Sequence, residues 1–499
     1  MVQGTASASG KSVLVTALCR IFRQAGYAVA PFKSQNMSLN AFVTPGGGEI
    51  GWAQAVQAEA AGIEPSVDMN PILLKPEEDC RSQVIVRGRP ALRLTAAEYY
   101  RHRDELLAVV KESLGRLTAA YDVVVIEGAG SPAEINLRES EIVNMCVARL
   151  AGAPVLLVGD IDRGGVFASL VGTLALLDEA DRQRVRGFVI NKFRGDLDLL
   201  RPGLDYLEAH TGKPVLGVLP YYRDIFIPQE DSLFEEVRGQ AGAAVVEVAV
   251  IRLPRLANST DFEPLQQESG VRVRYIHDPA GLGQPDVIIL PGSKSTVADL
   301  DYLWRSGLAG AVIRRAQAGT PVVGICGGFQ MLGRQITDPE GVEAAGGSVT
   351  GLGLLDVVTV FRPEKTTRQV RARVLGNEGL LAGLQGEEVT GYEIHMGQTV
   401  GGGATPLLLV SQNQGDEPGY PDGAVAGNGL IWGSYLHGLF DNANLRRAFL
   451  AGLRQRKGLS SPGVSPVLGR EQHYDRLADL VRHHLDMAAV YRICGLAGG

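Results

Sequence analysis

Cys326 stands between an apolar run and paired glycines, in Gly324-Ile-Cys-Gly-Gly-Phe-Gln-Met-Leu332. A thiol used for packing needs no glycine neighbours. A nucleophile set where a strand turns sharply into a helix does, because glycines relieve the crowding of that turn. Val322-Val-Gly-Ile325 reads as the strand and Phe329-Gln-Met-Leu332 as the first helical turn. A helix N-terminus favours a thiolate, and the N–H groups there, Gly327 first, can hold an oxyanion. Gly292, in Pro291-Gly-Ser293 after the apolar run ending at Leu290, is a second donor candidate. A cysteine nucleophile also needs a base. His437 follows the strand-like Leu430-Ile-Trp-Gly433 and is the best candidate. His395, inside Gly391-Tyr-Glu-Ile-His-Met396, is the rival, although a lone histidine in a strand is more often structural.

The other end of the chain carries a different chemistry. Gly10-Lys11-Ser12 closes a stretch that begins Gly4-Thr5, with an apolar start before it and the helical pattern Val13–Phe22 after it. Strand, loop and helix in that order make a phosphate cradle: backbone N–H groups and Lys11 meet phosphate oxygens, and the Ser12 hydroxyl meets Mg²⁺. Gly4 stands one residue further from Gly10 than the standard spacing has it. Glu127 follows the strand ending at Ile126, and Asp160 and Asp162 follow the one ending at Val158. Ligands sit outside the carboxyl ends of strands in open parallel sheets, so Glu127 and Asp160 are expected as metal ligands. Asn191-Lys192, after Ile190, reads equally as a nucleotide contact or a strand-end turn.

These residues need sheets to hold them. Short apolar runs alternate with helical stretches in two series. The first is Tyr121–Ile126, Ala153–Val158, Arg186–Ile190 and Pro214–Val218. The second is Ala244–Val250, Val271–Tyr275, Asp286–Leu290 and Pro321–Ile325. The pattern predicts an α/β protein with two parallel-sheet domains, each sheet covered on both faces. With 499 residues the chain is too long for one core. The break is expected within 228–244, giving domains 1–235 and 245–452, with a C-terminal helical extension over 453–499. In that extension Leu477, Leu480, Val481 and Leu485 mark an amphipathic helix. Only three residues precede Gly4, so a very short first strand is expected, with the natural start a few codons upstream.

Composition narrows the class. A net charge of −7 argues against a general nucleic-acid binder. No apolar run approaches the ~18 residues of a membrane span, and no secretory pattern opens the chain. The five cysteines, Cys19, Cys80, Cys146, Cys326 and Cys494, include no C-x-x-C pair and do not cluster with the eight histidines. That excludes a disulfide framework and a zinc site, and a reduced, cytoplasmic protein is expected.

The loop spacing and Glu127-Gly-Ala-Gly130 resemble the dethiobiotin synthetase group of phosphate-loop enzymes, which use ATP to activate a carboxylate. Lys33-Ser-Gln-Asn-Met-Ser-Leu-Asn40, Glu49-Ile-Gly-Trp-Ala-Gln54 and Met69-Asn-Pro-Ile-Leu-Leu-Lys-Pro76 make the chain more closely similar to the cobyric acid synthase family of the cobalamin pathway. The second half resembles class I glutamine amidotransferases, with Cys326 and His437 matching the catalytic pair. Many members carry Glu two residues after the histidine. Leu439 stands there, as in the corrinoid branch, which leaves the partner that orients His437 unassigned. The resemblance covers about residues 1–490.

It implies ATP and Mg²⁺, no tightly bound organic cofactor, and three substrates: adenosylcobyrinic acid a,c-diamide, L-glutamine and ATP. It implies Gly4, Thr5, Gly10, Lys11, Ser12 and Asn191 at ATP, and Ser12, Glu127 and Asp160 at the metal. Lys33, Gln35, Asn36, Asn40, Asn70 and Lys75 are implied at the corrinoid, and Gln330, Tyr392 and His395 at glutamine. Ammonia is nucleophilic only as NH₃, so a sheltered path is expected. Two other readings stay open. One is the a,c-diamide synthase, with the same chemistry on an earlier substrate. The other is a partitioning-type nucleotide switch, which would not need Cys326 and His437.

Overall fold

The computed structural model describes residues 1–78, 81–222, 224–228, 246–343, 346–411, 419–459 and 469–496. Cys80 and most of the expected break lie outside these residues. The chain forms two compact units. One comprises Met1–Ser38, Glu49–Asp231 and Leu468–Gly499; the other comprises Leu39–Gly48 and Ser232–Val467. Two segments therefore sit apart from their sequence neighbours. Leu39–Gly48 belongs to the second unit, and the C-terminal helices belong to the first.

The first unit is built on parallel strands. Val2–Gly4, Val155–Asp160, Val185–Phe193 and Val215–Pro220 lie side by side in that order. Val29–Phe32 pairs with Val123–Ile126, and a Val2–Glu127 bridge joins that pair to the edge of the four. Such strands are rich in Val, Leu and Ile because both faces are covered. The first strand has three residues, as expected. The helix Lys11–Gln24 follows, with Leu14, Val15, Leu18, Ile21 and Phe22 buried at helical spacing.

A smaller, mainly antiparallel sheet of Gln35–Met37, Ile72–Glu78, Arg81–Val86 and Arg89–Thr95 also belongs to this unit. The tail forms helices Arg470–His484 and Met487–Cys494. Leu477, Val481 and Leu485 are buried, and Arg20 pairs with Glu471 and Asp475, each at 2.7 Å.

In the second unit the parallel order is Val271–Ile276, Val246–Ile251, Val287–Leu290, Val322–Ile325 and Ile431–Ser434, with antiparallel Ala424–Val425 at the edge. A long hairpin, Val357–Val374 against Glu388–Gly401, anchors a second sheet that the sequence reading did not foresee. Among the described residues no helix is long and apolar enough to cross a membrane.

Gly217 is where the tail meets the first sheet. A Cβ there would lie 2.1 Å from the His484 carbonyl oxygen and 2.9 Å from Leu485 Cα. Gly217→Ala is expected to cost about 1–3 kcal/mol and to loosen the tail. Urea titration and limited proteolysis at Arg470–Cys494 check this; unchanged protection would contradict the assigned contact.

Candidate active site

Cys326 caps the helix Gly327–Leu332 with φ 51° and ψ −108°, a backbone conformation that residues with a Cβ rarely adopt. Its N–H donates to the Ser434 carbonyl at 2.8 Å, so the elbow is tied to the neighbouring strand. The glycines around it are there for close approach. A Cβ on Gly328 would sit 2.0 Å from the Leu290 carbonyl oxygen, and one on Gly327 2.9 Å from the Ser293 nitrogen. A Cβ on Gly292 would sit 3.0 Å from His437 Cε1 and 3.8 Å from Cys326 Cβ, so thiol and imidazole converge above that glycine.

His437 is 2 % exposed and adjoins the Cys326 thiol. Its Nδ1 lies 2.7 Å from Asp261 Oδ2, and Asp261 Oδ1 accepts the Gly438 N–H at 2.9 Å. Asp261 is the orienting acid that sequence reasoning left unassigned. It comes from the 3-10 turn Ser259–Phe262, beyond the strand Val246–Ile251. The available signal was position: Asp261 follows a strand of the same parallel series that supplies Cys326 and His437. Leu439, in the usual place of the acid, is buried in the apolar core. Burial alone would push His437 down, but the Asp261 carboxylate and the adjoining Cys326 outweigh it and raise the imidazole to about 10.

The rival histidine is differently engaged. The His395 ring stacks on Tyr435 at 3.8 Å, and its Nδ1 lies 2.9 Å from the Gly397 carbonyl. Its Nε2 is 3.7 Å from Glu393 Oε1, within ion-pair reach but too long for a hydrogen bond. Gln330 is a brace: its Oε1 accepts from Thr296 and its Nε2 donates to Tyr435. Tyr392 stacks on His437 with centroids 5.3 Å apart, and its hydroxyl accepts from Asn258.

The phosphate loop brings together Ser12, Glu127 and Lys33. The Ser12 hydroxyl (2.9 Å) and the Lys33 ammonium (2.8 Å) both donate to Glu127 Oε1, and Gln57 donates to Oε2. Burial would raise Glu127, but Lys33, Gln57 and Ser12 outweigh it and hold the carboxyl below its ordinary range. Gln57 was not foreseen; it is buried on the Ala-rich helix Trp52–Ala61, where a polar side chain requires a partner. Lys11 donates to the Ala6 and Gly130 carbonyls. The Ser9 hydroxyl is buried without a protein partner among the described residues. A Cβ on Gly4 would lie 2.2 Å from that hydroxyl, so a larger residue there would have to displace the Ser9 side chain.

A hydroxyl and an ionised carboxylate are hard oxygen donors, and Mg²⁺ characteristically takes one or two such groups together with phosphates and water. The residues present therefore fit a Mg–nucleotide. Among the described residues no cluster of three or more His, Cys, Asp or Glu is placed to hold a metal alone.

Several expected contacts are placed otherwise. Asp160 pairs with Lys192 at 2.9 Å and Arg163 at 3.7 Å, not with Ser12 or Glu127. Lys192 reaches on to the Ala8 carbonyl. Asn191 donates its side-chain amide to the Ser9 carbonyl, bracing the loop. The Thr5 N–H is spent on Val158. Asn70 is fully buried and bonded to Gly51, Lys33 and Ile72 backbone groups. Lys75 pairs with buried Glu49, Gln35 accepts from Tyr99, and Asn36 donates to Gln54. Asn40 lies in the second unit.

Residues 1–234 match the model of the CobQ/CobB/MinD/ParA nucleotide binding domain, and residues 247–445 that of the CobB/CobQ-like glutamine amidotransferase domain. Fold and sites together define an amide-forming ligase type: a phosphate-loop domain joined to a glutamine amidotransferase domain. Cobyric acid synthase of Sorangium cellulosum is 56 % identical, covering 99 % of this chain and 98 % of its own. That of Pelotomaculum thermopropionicum is 54 % identical, covering 100 % and 97 %, and that of Dehalococcoides mccartyi strain CBDB1 is 53 % identical, covering 99 % and 98 %. The chain belongs to the cobyric acid synthase family.

Asp261→Asn is expected to lower glutamine turnover by about 10³–10⁴, on the scale of triad acids. The alkaline limb of the rate profile, near pH 10 in the parent, should move to lower pH. His437 is raised above its ordinary 6.5, so its contribution to stability is fully present below 6.5 and lost as pH rises through about 10. Urea midpoints between pH 7 and 10 should fall in the parent and stay flatter in Asp261→Asn. Equal slopes would remove Asp261 from this role.

Proposed function

We propose that this protein converts the b, d, e and g carboxylates of adenosylcobyrinic acid a,c-diamide into carboxamides, with glutamine as nitrogen donor and ATP as activator. The observation that carries the reading is the Cys326–His437–Asp261 line, a nucleophile, base and orienting acid in one unit of a chain whose other unit has a phosphate loop. Full-length similarity to the family supports the corrinoid as substrate.

In the second unit the Cys326 sulfur attacks the carboxamide carbon of glutamine. His437, held as the imidazolium by its raised pKa, already carries the thiol proton and gives it to the departing ammonia. Asp261 keeps the Nδ1 proton in place, so that the opposite nitrogen faces the sulfur. The Gly327 N–H, at the start of the helix, and Gly292 are the oxyanion donors in this proposal. A glutamyl thioester remains, and water activated by His437 releases glutamate.

In the first unit Ser12 and Glu127 would hold Mg²⁺, and Lys11 with the Gly4–Ser12 loop would hold the phosphates. ATP supplies a phosphoryl group that turns a carboxylate, a very poor acceptor of an amine, into a good one. Ammonia then displaces phosphate and forms the amide. Lys33 sits beside this carboxylate site and is the proposed grip on the substrate carboxyl.

The test is mass spectrometry of the diamide incubated with the protein, Mg-ATP and amide-¹⁵N glutamine. Four ¹⁵N amidations are expected. They should be lost in Cys326→Ala and restored to it by ammonia. Glutamine hydrolysis without amidation would discard the substrate and keep the glutaminase; neither reaction would favour a nucleotide switch.

A further inference from the structure

A cleft of about 640 Å³ opens on the first unit at the amino ends of its parallel strands. Pro154 leads into Val155–Asp160, Arg184 and Arg186 flank the first residue of Val185–Phe193, and Pro214 precedes Val215–Pro220. The phosphate loop follows the carboxyl end of Val2–Gly4, which runs parallel to these strands. The cleft therefore lies at the opposite end of the same sheet. The tail forms its other side. Arg492 and Ile493 of the helix Met487–Cys494 line it, and the Asp486 N–H donates to the Leu216 carbonyl at 2.7 Å.

Three guanidinium groups share this cleft: Arg184, Arg186 and Arg492. A cation in the last turn of a helix is ordinary. That explains Arg184, which ends Glu179–Arg184, and Arg492, near the end of Met487–Cys494, taken singly. It does not explain their convergence. Like charges in one cavity repel, and a chain of net charge −7 has carboxylates to spare. Yet carboxylates on the bordering elements are used elsewhere. Asp181 pairs with Arg149 at 2.5 Å and Glu179 with Arg182 at 3.5 Å. Glu208 accepts the Val215 N–H at 2.6 Å, and Asp486 accepts the Ala489 N–H at 2.9 Å. Among the described residues none of the three guanidinium groups has an ion-pair partner. Arg184 Nε is buried, and it has no hydrogen-bond partner among them either. Lys213, beside Pro214, is held below the ordinary lysine range by partial burial and by Arg186, so the field at this end of the sheet is positive.

The rest of the lining is largely apolar, with Pro154, Pro214, Leu216 and Ile493. Guanidinium forks match phosphate oxygens in pairs, and a phosphate monoester carries about −1.5 to −2 charge at neutral pH. Apolar walls beside such a fork suit a phosphate that carries a body rather than a bare ion.

We propose that this cleft binds a small organic phosphate, its phosphate held by Arg184, Arg186 and Arg492 and its apolar body against Pro154, Pro214, Leu216 and Ile493. The site is independent of the amide chemistry proposed above. Its ligand ties the sheet to the tail, because two of the arginines stand at a strand and the third on the last helix.

Phenyl phosphate is the probe, titrated into the whole chain by isothermal calorimetry. One equivalent should bind, roughly tenfold more tightly than inorganic phosphate, which lacks the body, or benzoate, which lacks the second charge. Arg186→Gln and Arg492→Gln, both at exposed positions, should each weaken binding roughly tenfold, the loss of one charge-assisted hydrogen bond. Lys11→Ala should leave it unchanged. In the unaltered protein the probe should slow phenylglyoxal modification of Arg186 and Arg492, mapped by peptide mass spectrometry, which frees the test from the folding of any variant. Binding lost in Lys11→Ala and kept in the arginine variants would place the probe on the phosphate loop and overturn the cleft site. Equal affinity for benzoate would overturn the phosphate class, and equal affinity for inorganic phosphate the organic body. No binding, or no protection of Arg186 and Arg492, would overturn the proposal outright.

Discussion

The second unit depends on holding one residue with a side chain in a backbone conformation suited to glycine. Cys326 sits at φ 51° and ψ −108° because its N–H is held by Ser434, its carbonyl accepts from Gln330, and the helix behind it lies against the end of the strand Val287–Leu290. Strain of this kind is on the order of 1–3 kcal/mol and persists only where surrounding structure over-determines it. The surroundings here are glycines. Gly324, Gly327 and Gly328 let backbone pass within 3 Å of where their Cβ atoms would be. The outcome is a sulfur standing clear of the sheet beside His437, with helix N–H groups below it.

Charge is handled by a common device in the two units. Asp261 and Glu127 are both almost wholly buried, and an unpaired carboxylate there would be costly. Asp261 is satisfied by His437 and the Gly438 N–H; Glu127 by Lys33, Ser12 and Gln57. Each carboxylate is thereby paired and aimed, and Glu127 is held below its ordinary range. The imidazolium it supports in one case, and the hard oxygen surface it offers in the other, are properties of the pairing rather than of the residue type.

Much of this was legible in the sequence. Continuous apolar runs such as Val155–Val158 and Val287–Leu290 are what a doubly covered parallel sheet requires, and the glycines flanking Cys326 announce the elbow. The long hairpin was hard to read: alternation shows at its ends, as in Val370, Ala372 and Val374, but the intervening Arg362–Gln369 is mostly polar and not buried. Asp261 was hidden because an orienting acid needs only to reach the imidazole in space, and Leu439 removed the one local offset that would have signalled it. Asn70 and Gln330 read as ligand contacts in the sequence; the structure adds that both are buried and bonded to neighbouring backbone and hydroxyl groups.

The interleaving of the two units has a consequence for synthesis. The first unit takes its last helices from Arg470–Cys494, and the second takes Leu39–Gly48 from near the start of the chain. The second has every segment once Val467 is made, but the first must wait for helices made after it. The helix Lys11–Gln24, with Arg20 and an apolar face that the tail will cover, emerges long before Glu471 and Asp475 exist to meet it. Domains ordinarily mature from the N-terminus onward. In this chain the first unit's sheet is covered by helices made only after the strands of the second unit.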